Sequence, residues 1–296
     1  YALEYLRQIT GCPCVDLINR QYPVVSLPLS QALPLSLSAY SYASIPKLYT
    51  LLDTSALEAA GILAVLSQPS LSTGGEGVMI GFVDTGIDYC SPLFVSPGGR
   101  TRILGIWDQT LPAEGERQFF GEPSPFSGFA DSSFSYGRAF TEEEINAALA
   151  AEDPLSLVPT RDENGHGTFL AGVAAAGQTE GSSFFGAAPA CRLGVVKCRL
   201  AKRYLRDFYL LADGAQAYQE NDVMMGIKYL LLLAASRRLP LVLVLGLGTS
   251  QGSHEGTSPL GKMLGQLAEL SGVIPVLAAG NAAAKGRHLL GALGQG

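Results

Sequence analysis

Three short segments carry residue types that can work together chemically. Asp84 lies in Asp84-Thr85-Gly86, His166 in Gly165-His166-Gly167-Thr168, and Asn281 directly follows Ala278-Ala279-Gly280. An imidazole serves as a general base near neutral pH. A carboxylate beside it fixes the tautomer and stabilises the imidazolium, and a side-chain amide donates to a developing oxyanion. Each residue alone has a plainer reading: Asp84 as a turn aspartate, His166 as a helix-start histidine, Asn281 as a turn asparagine.

These residues need elements to hold them, and the sequence supplies a candidate set. Gly77–Val83, Thr101–Trp107, Leu193–Cys198, Leu239–Gly246 and Val273–Ala279 read as strands, most of them continuously apolar. Helices are expected from Thr141, whose Thr141-Glu142-Glu143-Glu144 is a capping box, from Gly165 to Ala176, over Ala217–Arg237, and over Pro259–Leu270 with proline at its first position. Apolar strands alternating with helices predict an α/β fold, a doubly wound, mostly parallel sheet covered on both faces. In such sheets functional groups gather at the carboxyl ends of strands, where Asp84 and Asn281 fall.

The first 70 residues differ in character. A short amphipathic helix is expected over Ala2–Ile9. Tyr22–Tyr49 carries four prolines among alternating apolar residues, the pattern of short edge strands. Asp53–Leu63 reads as a helix capped by Asp53, and the Ser-, Pro- and Gly-rich stretch Ser67–Gly77 marks a boundary. Two units follow, 1–70 and 71–296.

Composition removes several classes. Of 296 residues, 47% are hydrophobic and 16% charged, the balance of a chain that builds a core. The net charge of −6, without a lysine or arginine cluster, argues against nucleic-acid and anionic-membrane partners. No apolar run approaches the roughly 18 residues of a membrane span. Five cysteines, an odd and sparse set, do not make a disulfide framework. Cys90, Cys191 and Cys198 read as small core hydrophobes.

Taken in order, Ile80–Asp88, the run His166-Gly167-Thr168-Phe169-Leu170-Ala171-Gly172, and Ala278-Ala279-Gly280-Asn281 resemble blocks of the subtilisin-like serine proteases. The resemblance runs from about Gly77 to Gly296. Arg102–Thr110, the helix from Thr141 and Gly248–His254 resemble a branch related to germination proteases of spore-forming anaerobes. Residues 1–70, down to Ile45-Pro46-Lys47-Leu48-Tyr49, resemble that branch's propeptide, expected to act as an intramolecular inhibitor with its end near Ser67–Gly75 in the cleft. The resemblance implies endoproteolysis of polypeptide substrates through an acyl-enzyme, with Asp84, His166 and Asn281 as catalytic residues. It also implies that Leu247, Gly248, Ala278, Ala279 and Gly280 flank the substrate. No cofactor and no metal are implied, and Gln178–Ala190 lacks an acidic calcium loop.

Two departures matter. Where the family strand carries Ser-Leu-Gly, this chain has Gly246-Leu247-Gly248, which keeps backbone pairing but drops a hydroxyl. The family's nucleophile block follows the asparagine, and residues 282–296 contain no serine. The expectation is a sequence that stops before its nucleophile and is inactive by itself. Ser258, in Gly256-Thr257-Ser258-Pro259, reads as a helix cap. A non-catalytic binding or signalling protein on the same fold is the rival reading. A dinucleotide-dependent oxidoreductase is remote: Gly246-x-Gly248-x-x-x-Gly252 follows a strand, but the next strand ends in Ala278-Ala279-Gly280 with no acid for a ribose.

Overall fold

The computed structural model describes residues 5, 7–8, 11, 15–19, 22–28, 30, 34–40, 45–46, 48–51, 74–113, 117–118, 133–179, 184–252 and 255–280. The expected helix over Asp53–Leu63, the segment Ser67–Thr73 and Asn281 lie outside these residues, as does most of Ala2–Ile9.

In chain order the strands are β1 (Val15–Leu17), β2 (Pro23–Val25), β3 (Leu48–Leu51), β4 (Met79–Asp84), β5 (Ile103–Asp108), β6 (Arg117–Gln118), β7 (Ser133–Phe134), β8 (Arg138–Thr141), β9 (Arg192–Lys197), β10 (Tyr218–Gln219), β11 (Leu241–Leu245), β12 (Leu247–Gly248) and β13 (Val273–Leu277). The helices are α1 (Glu142–Leu149), α2 (Pro154–Leu157), α3 (His166–Ala175), α4 (Arg203–Phe208), α5 (Glu220–Arg237) and α6 (Pro259–Ala268).

Six strands form the central sheet in the order β13-β11-β4-β9-β5-β8. All neighbours are parallel except β5 and β8. The chain moves outward from β4 to β5, then returns through β9 and crosses to β11 on the other side. The carboxyl end of β4 therefore sits at the switch point of the sheet, where such folds open a crevice. Asp84 is the last residue of β4.

Two apolar layers cover the sheet. On one face α5 and α6 bury Leu230, Leu231, Leu233, Met263 and Leu267 against Met79, Val83 and Leu243. On the other, α1 and α3 bury Ile145, Leu170 and Ala171 against Phe82, Ile106 and Val195. Helix α5 comes close because three glycines stand side by side beneath it. Gly81 pairs with Gly194, and Gly194 with Gly105, on three adjacent strands. A Cβ on Gly81 or Gly194 would lie 2.9 Å from Leu230, and one on Gly105 would lie 2.7 Å from the Tyr229 hydroxyl. The missing side chains are the seat for the helix.

Most expected elements are present, with shifted ends. The capping box at Thr141 is complete in both directions, and Pro259 opens α6 behind Ser258. The expected helix from Ala217 begins instead at Glu220, because Tyr218 and Gln219 are drawn into strand pairing with β3. The antiparallel edge strand β8 was not anticipated. Cys191 and Cys198 are buried as expected, whereas Cys90 is exposed.

The described N-terminal residues contribute no strand to the six-stranded sheet. Strands β1 and β2 pair with each other. Ile18 nevertheless joins the main core layer, and Lys228 of α5, itself 1% exposed, donates from Nζ to the Leu17 carbonyl at 2.6 Å. Asp16 accepts from the Ser135 hydroxyl and backbone N–H.

Candidate active site

The Asp84 and His166 side chains meet across 82 residues of sequence. The Asp84 carboxylate is fully buried, and its Oδ1 lies 2.8 Å from His166 Nδ1. The same oxygen accepts the Thr85 backbone N–H at 2.8 Å, with the Thr85 hydroxyl at 3.3 Å. Among the described residues Asp84 Oδ2 has no hydrogen-bond partner. His166 is the first residue of α3, and its side chain is 15% exposed, so the ring lies at the mouth of the crevice.

Local chemistry fixes that position. Asp162 binds the start of α3, accepting the Gly165 N–H at 2.9 Å on Oδ1, and the Thr168 N–H and hydroxyl at 2.8 and 2.7 Å on Oδ2. A carboxylate at a helix N-terminus is favoured by the unpaired amides there. Burial pushes the Asp162 carboxyl up, but hydrogen bonds from Thr168, Thr85 and Gly165 outweigh it and hold the group below its ordinary value. Gly165 has φ of +85°, a conformation glycine adopts without strain.

Gly167 closes the joint: a Cβ there would lie 2.2 Å from the Gly86 carbonyl. The loop before the helix is tied down as well. Lys197, at the end of β9, lies 2.8 Å from Glu163 Oε2 and 3.7 Å from Asp108 Oδ2. Burial raises the Glu163 carboxyl, yet the Lys197 ammonium and a backbone hydrogen bond leave it net lowered.

The strand after β11 supplies the next wall. A Cβ on Gly246 would lie 2.7 Å from Leu170 Cδ2, 2.9 Å from Asp84 Oδ2 and 3.1 Å from His166 Cε1. A side chain at this position, where the resembled block carries serine, would thus meet the pair. Beyond it, Leu247 and Gly248 form β12, and Leu247 is buried. The Ala278 N–H donates to the Leu245 carbonyl at 3.3 Å, so Ala278-Ala279-Gly280, exposed past the end of β13, runs beside the same strand end.

The edge of β12 is taken up by part of this chain. Strand β3 lies between β12 and β10, antiparallel to both, with Leu51 opposite Leu247, Thr50 opposite Gly248 and Tyr49 opposite Tyr218. The sequence reading sends Ser67–Gly75 toward the crevice. Of that stretch Gly74 and Gly75 are described, and they pack on Ala188, Ala190 and Cys191, at the end of the sheet opposite Asp84. The segment beside Leu247 and Gly248 is Leu48–Leu51, which begins at the end of Tyr22–Tyr49, the stretch read as short edge strands with no partner named.

Behind β10, the first turn of α5 is held by charge. Asp222 is fully buried and takes a fork from Arg199, 2.7 Å from Nε and 2.9 Å from Nη2, plus the Tyr136 hydroxyl at 2.8 Å. The Arg199 guanidinium also lies 3.8 Å over the Tyr136 ring. Paired this way, a buried charge keeps its element in one place.

Ser258 caps α6, its Oγ accepting the Gly261 N–H at 3.0 Å. Thr85 and Asp162 were not singled out from the sequence as parts of the site, and Gly246 was noted only for the hydroxyl it lacks. The Asp162-x-x-Gly165 spacing ahead of a helix was the one usable signal. Among the described residues no cluster of three or more His, Cys, Asp or Glu side chains is arranged to hold a metal ion.

A model of the subtilase family matches residues 75–290. The chain belongs to the subtilase family. Among solved structures it is similar to the Clostridium perfringens CspB protease, with 31% identity and a TM-score of 0.59. The match covers 76% of this chain and 40% of that one, so the chain spans well under half the length of this relative. Comparison with curated proteins gives no match.

Proposed function

We propose that this chain carries the catalytic domain of a subtilisin-type serine endopeptidase, residues 71–296, preceded by a propeptide-like unit, residues 1–70. The observation that carries the reading is the 2.8 Å contact between His166 Nδ1 and a wholly buried Asp84 carboxylate at the switch point of the sheet. With Nδ1 engaged by the carboxylate, the neutral ring keeps its lone pair on Nε2, where a base needs it. A serine, expected after Asn281, attacks the scissile carbonyl and His166 takes its proton. Asp84 stabilises the imidazolium, Asn281 donates to the oxyanion, and His166 returns the proton to the leaving amine. Water then hydrolyses the acyl-enzyme by the same route. Leu247 and Gly248 on one side, and Ala278, Ala279 and Gly280 on the other, line the path of the substrate backbone. Because β3 pairs with β12, the N-terminal unit inhibits by occupying that path.

The test uses the complete reading frame that encodes this chain. Once its N-terminal unit has been released, the product should be labelled by a fluorophosphonate probe and should hydrolyse unfolded polypeptides, and Asp84→Asn or His166→Ala should abolish both. Labelling that persists in His166→Ala overturns His166 as the base, and no labelling of the released product overturns the peptidase reading and favours a non-catalytic binding protein.

A further inference from the structure

Strands β4, β9 and β5 end side by side with three charged residues in register. Asp84 pairs with Lys197, and Lys197 with Asp108. Residues in register on parallel neighbours point to the same face of the sheet, here the face on which Phe82, Val195 and Ile106 pack under α3. A buried lysine thus stands between two fully buried carboxylates, one of which binds the imidazole. Burying an ammonium is costly unless it is paired, and an apolar residue would continue this strand without that cost.

Lys197 touches both parts that meet at the pair. A Cβ on Gly86 would lie 3.3 Å from Lys197 Cδ and 3.4 Å from Cγ, so the stem runs along the turn after Asp84, and the Gly86 carbonyl is the atom on which Gly167 is packed. The ammonium donates to Glu163 Oε2 at 2.8 Å. Glu163 stands between Asp162, which binds the start of α3, and Asn164, whose Oδ1 accepts the His166 N–H at 3.2 Å. Asp108 holds the far end of this loop. The oxygen that lies 3.7 Å from Lys197 Nζ also accepts the Thr160 hydroxyl at 2.6 Å. One ammonium therefore reaches two anchors of the six residues that deliver the histidine.

The charged groups on the elements packed against His166 are Asp84 and Asp88 at and after the end of β4, Arg161, Asp162 and Glu163 in the loop, and Lys197 on β9 with Asp108 behind it. The segment after β11, Gly246–Ser250, brings none. Taking His166 as the base of the reading above, we infer that Lys197 is a positioning residue for the Asp84–His166 pair: its stem supports the turn that receives α3, its ammonium fixes the loop that carries the imidazole, and its charge keeps the ring unprotonated to lower pH. Glu163 is its exposed counter-ion, with a side chain 70% exposed, and tempers that charge. Asp108 stays ionised beside it through donors from Thr110 and Thr160.

Two measurements test this. On the chain itself, NMR follows the titration of the imidazole resonance that His166→Ala removes. Lys197→Met should raise its midpoint and Glu163→Gln should lower it, each by about 0.5 pH unit or more, the scale of one charge acting through partly solvated protein. Lys197→Arg keeps the charge and should keep the midpoint. Glu163 is exposed, so Glu163→Gln reads the charge even where Lys197→Met fails to fold. Midpoints that stay in place, or that move the same way in the Met and Gln variants, overturn the inference. On the complete reading frame, once its N-terminal unit has been released, Lys197→Met should lower kcat by about tenfold to a hundredfold with little change in KM, the cost of a small misplacement. The acid limb of its kcat/KM profile should move upward, and Lys197→Arg should return it. A lower rate with an unmoved limb overturns the inference and leaves Lys197 a structural residue. Opposite midpoint shifts in a protein whose released product takes no fluorophosphonate overturn the peptidase reading and leave Lys197 as the positioning residue of the pair. A labelled product whose midpoints do not move does the reverse.

Discussion

The backbone N–H of Gly167 donates to the Thr85 hydroxyl at 2.9 Å, so the residue after the histidine is hydrogen-bonded to the residue after the aspartate. The Asp84–His166 contact is thus part of a larger joint between the end of β4 and the start of α3. Thr85 serves it as an acceptor for Gly167 and sits 3.3 Å from the carboxylate it helps to surround. Thr85→Val keeps the shape and removes the hydroxyl, leaving a buried N–H unpaired at a cost of about 1–3 kcal/mol. Activity of the complete reading frame should fall by up to about 10²-fold, the scale of a small misplacement of reacting groups. Thr85→Ser should restore most of it. Chemical denaturation and probe-labelling rates check the two effects, and a Thr85→Val protein with unchanged labelling would remove Thr85 from the joint.

Gly246 is the place where space, not conformation, is at stake. In Gly246→Ala the new methyl crowds Leu170, Asp84 Oδ2 and the imidazole. Overpacking of this kind costs about 1–3 kcal/mol. Gly246→Ser brings the same carbon but adds a hydroxyl able to donate to Asp84 Oδ2, an oxygen without a partner among the described residues. Serine should therefore be the milder substitution, with a higher Tm than alanine by calorimetry. Equal losses would mean that the carboxylate oxygen gains nothing from a donor.

Lys228 holds the N-terminal hairpin from inside the core. Its ammonium donates to the Leu17 carbonyl and lies 4.9 Å from the Phe134 ring centroid. Lys228→Met fills the same space and strands the carbonyl, so stability should drop by about 1–3 kcal/mol. The loss should appear first as faster hydrogen exchange of β1 and β2, before the central sheet is affected. Uniform loss of protection across the sheet would show that the hairpin is not held separately.

Much of this was legible in the sequence for identifiable reasons. Parallel strands buried on both faces read as unbroken apolar runs, so β4, β9, β11 and β13 were found within about two residues. Caps are local chemistry, so Thr141 and Ser258 were assigned correctly. Short strands are different. Tyr218-Gln219 and Leu48–Leu51 have no period of their own and are extended because they pair with each other, across more than 160 residues. The same holds at the site. Asp84 and His166 stand in recognisable blocks, whereas Gly246 matters only through what its missing Cβ would touch.

Asp162 makes the start of α3 sensitive to acid. Its folded pKa is depressed, so the stability it contributes is fully present above its unfolded value, about 4, and is lost as pH falls through the lower folded value. Asp162→Asn removes that charge at every pH. The Tm gap between the native chain and Asp162→Asn should be widest near pH 6 and should narrow as pH falls below about 4. A gap that widened on acidification would mean that the folded pKa is raised.

Ser258 separates a capping role from a chemical one. Its hydroxyl accepts the Gly261 N–H, and Pro259 behind it occupies the first helical position, where a missing N–H costs nothing. An attacking hydroxyl needs a base, whereas this one is engaged with the Gly261 amide at the start of α6. Ser258→Ala leaves one of those amides unsatisfied and should cost about 1 kcal/mol, and Ser258→Gly only a few tenths. Helix α6 packs on α5 and β13 through Leu260, Met263 and Leu267, so the loss should register in global unfolding and not as local fraying. Fluorophosphonate labelling of the complete reading frame should proceed at the same rate with either substitution. A Ser258→Ala protein of native stability that no longer takes the probe would assign the nucleophile to Ser258 and overturn the cap.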